Sequence, residues 1–358
     1  MIKTDILLSI IIPVYNVEPY LDKCMEAVLC CNLASCEIIL SLGNSTDRSN
    51  ELCLDYERKH PFIRAICQSG TGLSNARNCA LDIAQGAYLL FLDSDDYVDS
   101  IYLNNLLTNI RNRTFAPDVI VTDFYRLDQR TDCLLPVFQI GENTPVQYSM
   151  DFLPVMLRKR QCFWNVWRYI YRRSFLEDHG IRFAENRLSE DVDFTTKVFL
   201  AEPEIVFSHS PYYIYVVGRG RSLMDRPDIK RLSDTVFLLR QAIEQLRMSD
   251  FRYAPQVIAQ FQFEYILNLA LTVEIDPEDR TEALDLYRDW RRVLFGSIDP
   301  AVQCAAFLLR ITGIKPIAHG LHIIKQPHRW IKKCMLKEKF RNDYNKNALS
   351  HQLCRRRQ

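Results

Sequence analysis

The stretch "GAYLLFLDSDD", Gly86 to Asp96, runs an apolar segment straight into three carboxylates. A short, continuous apolar run bounded by a glycine and by turn-forming residues predicts a strand covered on both faces. Asp93, Asp95 and Asp96 then stand at the carboxyl end of that strand, where open α/β sheets place their ligand crevice. A turn and a helix cap would occupy one or two of these acids. Three within four residues repel one another and raise one another's pKa unless a cation is present. A Mg²⁺ or Mn²⁺ ion held by one or two carboxylates and completed by phosphate oxygens removes the conflict. The residues themselves therefore point to a metal bridge to a nucleotide diphosphate.

Upstream, "LLSIIIPV", "CEIIL" and "FIRAIC" alternate with helix-like segments, one of which has Pro19 near its start and Leu21, Met25 and Val28 on one face. Strand and helix in alternation predict an α/β fold, a mostly parallel sheet with helices on both faces. Downstream of residue 225, "IKRLSDTVFLLRQAIEQLRM", "PQVIAQFQFEYILNLALTV" and "PEDRTEALDLYRDWRRVLF" carry apolar residues at helical spacing and almost no glycine. They predict an α-helical C-terminal extension. The expected organisation is a sheet domain over 1–225, a helical extension over 226–314 and a basic amphipathic tail over 315–358.

From Lys315 onward, twelve Lys and Arg stand against Glu338 and Asp343, a local +10 in a chain of net +1, so residues 1–314 carry −9. The acidic body argues against nucleic acid as a partner. The tail sets Leu321, Ile324, Trp330, Ile331 and Met335 among its basic residues, which suits an anionic membrane surface or plain solvation. The apolar run in "MIKTDILLSIIIPVYN" is too short to cross a bilayer and lacks a small-residue cleavage site, so it reads as a strand. Twelve cysteines without one C-x-x-C pair give no support to zinc or thioredoxin-like chemistry. They predict reduced, mostly buried thiols in a cytoplasmic protein, free or peripheral on the inner face of the membrane.

"SIIIPVYN" (Ser9 to Asn16), "NSTD" (Asn44 to Asp47), "GLSNARN" (Gly72 to Asn78), "FLDSDD" (Phe91 to Asp96) and "SEDVDF" (Ser189 to Phe194) follow in order. In that order and spacing the chain resembles the inverting family 2 glycosyltransferases, of the Rossmann-like GT-A fold, over roughly residues 7–225. The resemblance implies that Pro13 and Tyr15 border the base and ribose of a nucleotide-sugar donor, with a UDP-sugar the first expectation. It implies that Arg77 contacts the nucleotide, that Asp93 lies near the ribose and that Asp95 is the metal ligand, with Asp96 in support. "SED" is similar to the motif whose aspartate is the general base, which makes Asp191 the catalytic candidate and Glu190 its neighbour. Inversion needs a base to take the acceptor hydroxyl's proton opposite the leaving diphosphate. A helix start capped by Ser189, with Glu190 and Asp191 in its first turn, is the alternative for the same residues. The acceptor implied is a glycan or a lipid-linked glycan, as in bacterial surface polysaccharide synthesis. Neither a Q-x-x-R-W motif nor a spanning helix is found, which favours transfer of a single sugar.

The chain also departs from this pattern. Ser41, Leu42 and Gly43 of "SLGNSTD" stand where an acidic pair is expected, and Val216 stands where an arginine is common. Arg219 or Arg221 could supply that charge. His209 follows a predicted strand and is either a further metal-side residue or a hydrogen-bonded surface histidine. "FWNVWRYIYRRSFL" combines aromatic and basic residues that suit either an acceptor site or core packing. Two functions are thus open: a metal-dependent glycosyltransferase, or a non-catalytic binding or scaffold protein on the same fold. The retained carboxylates at both centres favour the transferase.

Overall fold

The computed structural model of the protein describes residues 6–137, 153–158, 164–219 and 228–324. Arg221 and the tail from 325 to 358 lie outside the described residues. The chain forms two compact units, Met1–Arg226 with Ser233–Phe261, and Pro227–Leu232 with Gln262–Gln358.

The first unit is built on one twisted sheet. Its opening half is four strands, β1 (Leu8–Val14), β2 (Cys36–Leu42), β3 (Ile63–Cys67) and β4 (Tyr88–Phe91), all parallel. Every residue of β1, β2 and β4 is buried. That is why these strands read as unbroken apolar runs and not as alternating ones. The crossover helices are α1 (Glu18–Leu29), α2 (Ser49–Lys59) and α3 (Leu73–Ile83). Leu21, Cys24, Met25 and Val28 form the buried stripe of α1, at the spacing of one helical face.

The rest of the sheet comprises β5 (Tyr97–Val98), β6 (Val119–Asp128), β7 (Cys133–Val137), β8 (Tyr169–Arg172) and β9 (Ile205–Val217). Between them lie helices α4 (Ser100–Arg111), α5 (Leu153–Arg158), α6 (Arg173–Asp178) and α7 (Glu190–Leu200). The strand order is β3-β2-β1-β4-β8-β6-β9-β5, with β7 beside β6. Here the sheet is mixed: β8 is antiparallel to β4 and β6, while β9 is parallel to β6. The chain winds outward from β1 to β3 and then returns to the other side of β1 as β4. This reversal is the switch point at which a doubly wound sheet opens a crevice. The "DSDD" segment leaves β4 at that point.

Close packing at the start of β4 rests on Gly86. A Cβ there would lie 2.4 Å from the Ser9 backbone nitrogen and 2.6 Å from Ser9 Oγ. Its N–H donates to Ser9 Oγ at 2.8 Å, and that hydroxyl donates to Glu37 Oε1 at 2.6 Å. Gly86→Ala is therefore expected to cost about 1–3 kcal/mol through overpacking against backbone. Urea unfolding measures it, and an unchanged midpoint would mean that β4 can shift away from β1.

After β9 the described chain is helical: α8 (Ile229–Met248), α9 (Ala254–Leu269), α10 (Arg280–Asp285), α11 (Trp290–Leu294), α12 (Pro300–Thr312) and a last helix over 314–324. In the second unit Gln262 Nε2 donates to the Val293 carbonyl at 2.8 Å, and the Tyr265 and Tyr287 rings meet at 4.8 Å. The described cysteines form no disulfide. Cys24, Cys31, Cys36 and Cys53 are buried, whereas Cys30, Cys67 and Cys304 are exposed, so the expected burial of the thiols holds only in part.

Candidate active site

The loops after β1 and β2 are tied to each other, which explains the residue types of "PVYN" and "NSTD". Asn16 Oδ1 accepts from the Thr46 N–H at 2.8 Å, and Ser45 Oγ accepts from the Asn16 N–H at 3.1 Å. Asp47 Oδ2 accepts from the Glu18 N–H at the start of α1, and Glu18 Oε2 returns the bond to the Arg48 N–H at the start of α2, both at 3.0 Å. Asp47 thus satisfies orphan amide groups of a helix start. Pro13 is buried within β1, while Tyr15 emerges past the strand end and is 62% exposed. Gly43 lies flat against it, since a Cβ there would stand 3.1 Å from the Tyr15 ring.

Arg77, on α3, joins three motifs that are far apart in sequence. Only 1% exposed, its Nη1 donates to Glu190 Oε1 at 2.7 Å and to Asp191 Oδ1 at 2.9 Å, and its Nη2 donates to Asp93 Oδ1 at 3.0 Å. Beneath it lie the rings of Phe183, at 5.1 Å, and Phe91, at 5.9 Å. Burial alone would lower the Arg77 pKa, but Asp191, Asp93 and Glu190 together outweigh it and hold the guanidinium charged. One guanidinium cannot neutralise three carboxylates. Burial, with Glu190 and Asp93 adding to it against the pull of Arg77, pushes Asp191 up to about 8. The Asp191 side chain is 20% exposed, and its Oδ2 accepts from the Val166 N–H at 3.2 Å.

Ser189 does not cap α7 with its side chain. It adopts the left-handed conformation, φ 65°, and its hydroxyl meets Thr235 Oγ1 at 2.7 Å instead. A left-handed backbone is costly for a residue with a Cβ, so surrounding contacts must hold it. Asp234 on α8 supplies them, accepting from the Leu188 N–H at 3.1 Å and from Arg187 Nη1 at 2.8 Å. Sequence reasoning missed Asp234 and Thr235, because nothing local marks a helical residue as the clamp of a loop more than forty positions upstream.

A second cation serves the other end of "DSDD". Arg219 Nη1 pairs with Asp95 Oδ2 at 2.7 Å, its Nη2 reaches Asp96 Oδ1 at 3.3 Å, and it stacks 5.7 Å from the centre of the Tyr20 ring. Asp96 is fully buried and also accepts from Tyr213 Oη and from the Val216 N–H, each at 2.8 Å. Burial, Asp95 and Asp93 hold its pKa well above the usual carboxylate range, against Arg219. For Asp95, burial and Asp93 raise the pKa and Arg219 opposes them. His209 lies on β9 with Nδ1 3.9 Å from Asp123 Oδ2, and no contact joins it to the "DSDD" carboxylates. Trp167 is core, stacked on Tyr213 at 4.3 Å and on Tyr215 at 5.4 Å.

Asp93 and Asp95 are suited to complete a metal site with a ligand's oxygens. Each is about one-third exposed or less and gives one carboxylate oxygen to an arginine. The second oxygen of each bonds to no other described residue. No group of three or more His, Cys, Asp or Glu among the described residues could hold a metal unaided. Two hard oxygen donors, completed by a ligand's phosphate oxygens, are nevertheless the usual share of a protein in binding Mg²⁺. Asp96 has no such role open to it, because both its oxygens are committed inside the protein.

The mixed α/β sheet, with its carboxylates at the switch point, has a fold of the GT-A class. Residues 9–167 match the family described as glycosyl transferase family 2. The uncharacterized glycosyltransferase EpsJ of Bacillus subtilis (strain 168) is 32% identical over 210 residues, which are 58% of this chain and 60% of that protein. The crystal structure of S. aureus TarS 1–349 in complex with UDP-GlcNAc superposes with a TM-score of 0.68 at 18% identity, covering 90% of this chain and 92% of that one. The mannosyltransferase PcManGT from Pyrobaculum calidifontis, in complex with GDP-Man and Mn²⁺, gives a TM-score of 0.51 at 17% identity over 87% of this chain and 81% of that one.

Proposed function

We propose that the protein moves a single sugar from a nucleotide-diphosphate sugar, with inversion, onto a glycan or lipid-linked acceptor in surface polysaccharide synthesis. The observation that carries this reading is the placing of Asp93, Glu190 and Asp191 around one buried arginine at the switch point. A UDP-sugar is the first donor to test, since the TarS fold neighbour is a UDP-GlcNAc complex. Asp95, with Asp93 beside it, would hold a divalent cation, which supplies positive charge to the leaving diphosphate.

Asp191 takes the proton of the acceptor hydroxyl as that oxygen attacks the anomeric carbon. Its raised pKa matches it to a base working near neutral pH. Arg77 holds the carboxylates of both centres at fixed separation, so the base and the leaving group stay on opposite faces of the sugar. Arg219 supplies a second fixed cation beside Asp95 as charge develops on the diphosphate.

The test is a thermal-shift titration with UDP, GDP, TDP and CDP, each with Mn²⁺ or with EDTA. A nucleotide at 100 times its Kd stabilises the fold by about 2.7 kcal/mol. A metal-dependent shift with one nucleotide is the expected result. Folded protein that shifts with none of them would transfer support to the non-catalytic reading, with Leu42 and Gly43 as its cause.

A further inference from the structure

The helix α12, "PAVQCAAFLLRIT", is apolar around nearly its whole circumference, yet it buries only Val302 and Leu309. These two are seven residues apart and form a single narrow stripe. An ordinary surface helix turns polar residues to the outside. This one turns out Cys304, Phe307, Leu308 and Ile311, with Phe307 63% and Ile311 64% exposed. The exposed apolar surface continues onto Phe295, 79% exposed, and onto Ile298. Between α11 and α12 it is indented by a cavity of about 500 Å³ with Trp290 and Leu294 among its walls. A contiguous apolar face of this kind marks a surface meant to be covered.

The charges around it say by what. From Trp290 to Ile324 the basic residues are Arg291, Arg292, Arg310 and Lys315, all exposed, and the single acid is Asp299. Asp299 is already committed, its Oδ1 accepting from the Ala301 and Val302 N–H groups at the start of α12. The sequence that follows, 325–358, adds eleven Lys and Arg against two acids. Pairing two copies through this face by a twofold axis would bring like charges together. An anionic surface meets both the apolar and the basic groups. At 13 residues α12 is about 20 Å long, short of the roughly 30 Å of a bilayer's hydrocarbon core. Among the described residues no helix is long and apolar enough to cross a membrane.

We propose that the exposed face of α12, with Phe295 and the flanking arginines, docks the protein onto an anionic lipid surface, α12 lying in the headgroup plane. Apolar side chains supply insertion, and the basic ones supply attraction that salt weakens. This inference does not rest on the transferase reading.

The test is co-sedimentation of the full chain with phosphatidylcholine vesicles, with and without phosphatidylglycerol, at low and high salt. Binding about tenfold tighter to the anionic vesicles is expected, and weaker binding in high salt. The Phe307→Asp, Ile311→Asp double variant, at exposed positions, is expected to lose about tenfold in vesicle affinity while keeping its melting temperature and its nucleotide-induced shift. An Arg291→Glu, Arg310→Glu variant is expected to lose the preference for anionic lipid. The proposal is overturned if the native chain ignores anionic vesicles or if the double-Asp variant binds them like the native chain. It is equally overturned if sedimentation equilibrium shows a dimer that the same variant dissolves. Loss of the nucleotide shift in the native chain would count against the transferase and leave the vesicle result standing.

Discussion

Asp191→Asn is expected to lower kcat by about a hundred- to ten-thousandfold, the usual contribution of a positioned general base. Asparagine keeps the shape of the side chain and keeps an oxygen to accept from Arg77 or from the Val166 N–H. It removes one negative charge from a cluster in which a single guanidinium serves three carboxylates. Donor affinity is therefore expected to survive, and stability not to fall. The sign with pH follows from Asp191 being raised from 3.8 to about 8 in the fold. A raised carboxyl favours the folded state while protonated, fully so below the unfolded value, and loses that contribution as pH rises through about 8. The variant should thus equal the native protein at acid pH and match or exceed it in melting temperature above pH 8. Native kcat/KM should fall as pH drops below about 8, because a protonated base cannot accept a proton. Steady-state kinetics and melting curves on both proteins measure these effects. A variant that keeps kcat, or that loses the donor-induced shift instead, would remove Asp191 from the role of base.

Arg77→Met is expected to cost about 3–5 kcal/mol of stability, since it leaves buried carboxylates without their cation. Among the described residues no other Lys or Arg pairs with Asp93, Glu190 or Asp191. Methionine fills much of the volume over Phe91 and Phe183 but carries no charge. Lysine in the same place offers a point charge and not the planar fork that reaches three acceptors, so Arg77→Lys is expected to recover only part of the loss. The deficit should grow as pH rises and more of the cluster ionises. Urea unfolding at acid and alkaline pH tests this. A loss under about 1 kcal/mol at every pH would show that the carboxylates are satisfied without the arginine.

Much of the architecture is legible in the chain because each early element announces itself locally. The buried parallel strands read as unbroken apolar runs, and α1 displays Leu21, Met25 and Val28 at helical spacing. The mixed second half of the sheet is less visible. Whether β8 runs antiparallel to β4 is a matter of pairing across some eighty residues, and strand composition does not encode direction. The site shows the same division. Asp93, Asp95 and Asp96 stand out as a cluster, but nothing in "DSDD" says that Asp96 is spent on Tyr213 and Val216 while Asp95 remains partly exposed. "SED" looks like a capped helix start in isolation. In the fold Ser189 is left-handed and bound to α8, and Glu190 and Asp191 turn to Arg77.

By itself the sequence determined the class of fold, the strand ends at which chemistry could sit and the residue types available there, because burial, periodicity and turn preference act over a few neighbouring positions. Only the tertiary structure decided which carboxylates share a cation. It also decided which acid is committed to the interior and which loop Asp234 clamps. Those outcomes depend on distances between segments a hundred or more residues apart in some cases, and on how many charges one buried guanidinium is asked to balance.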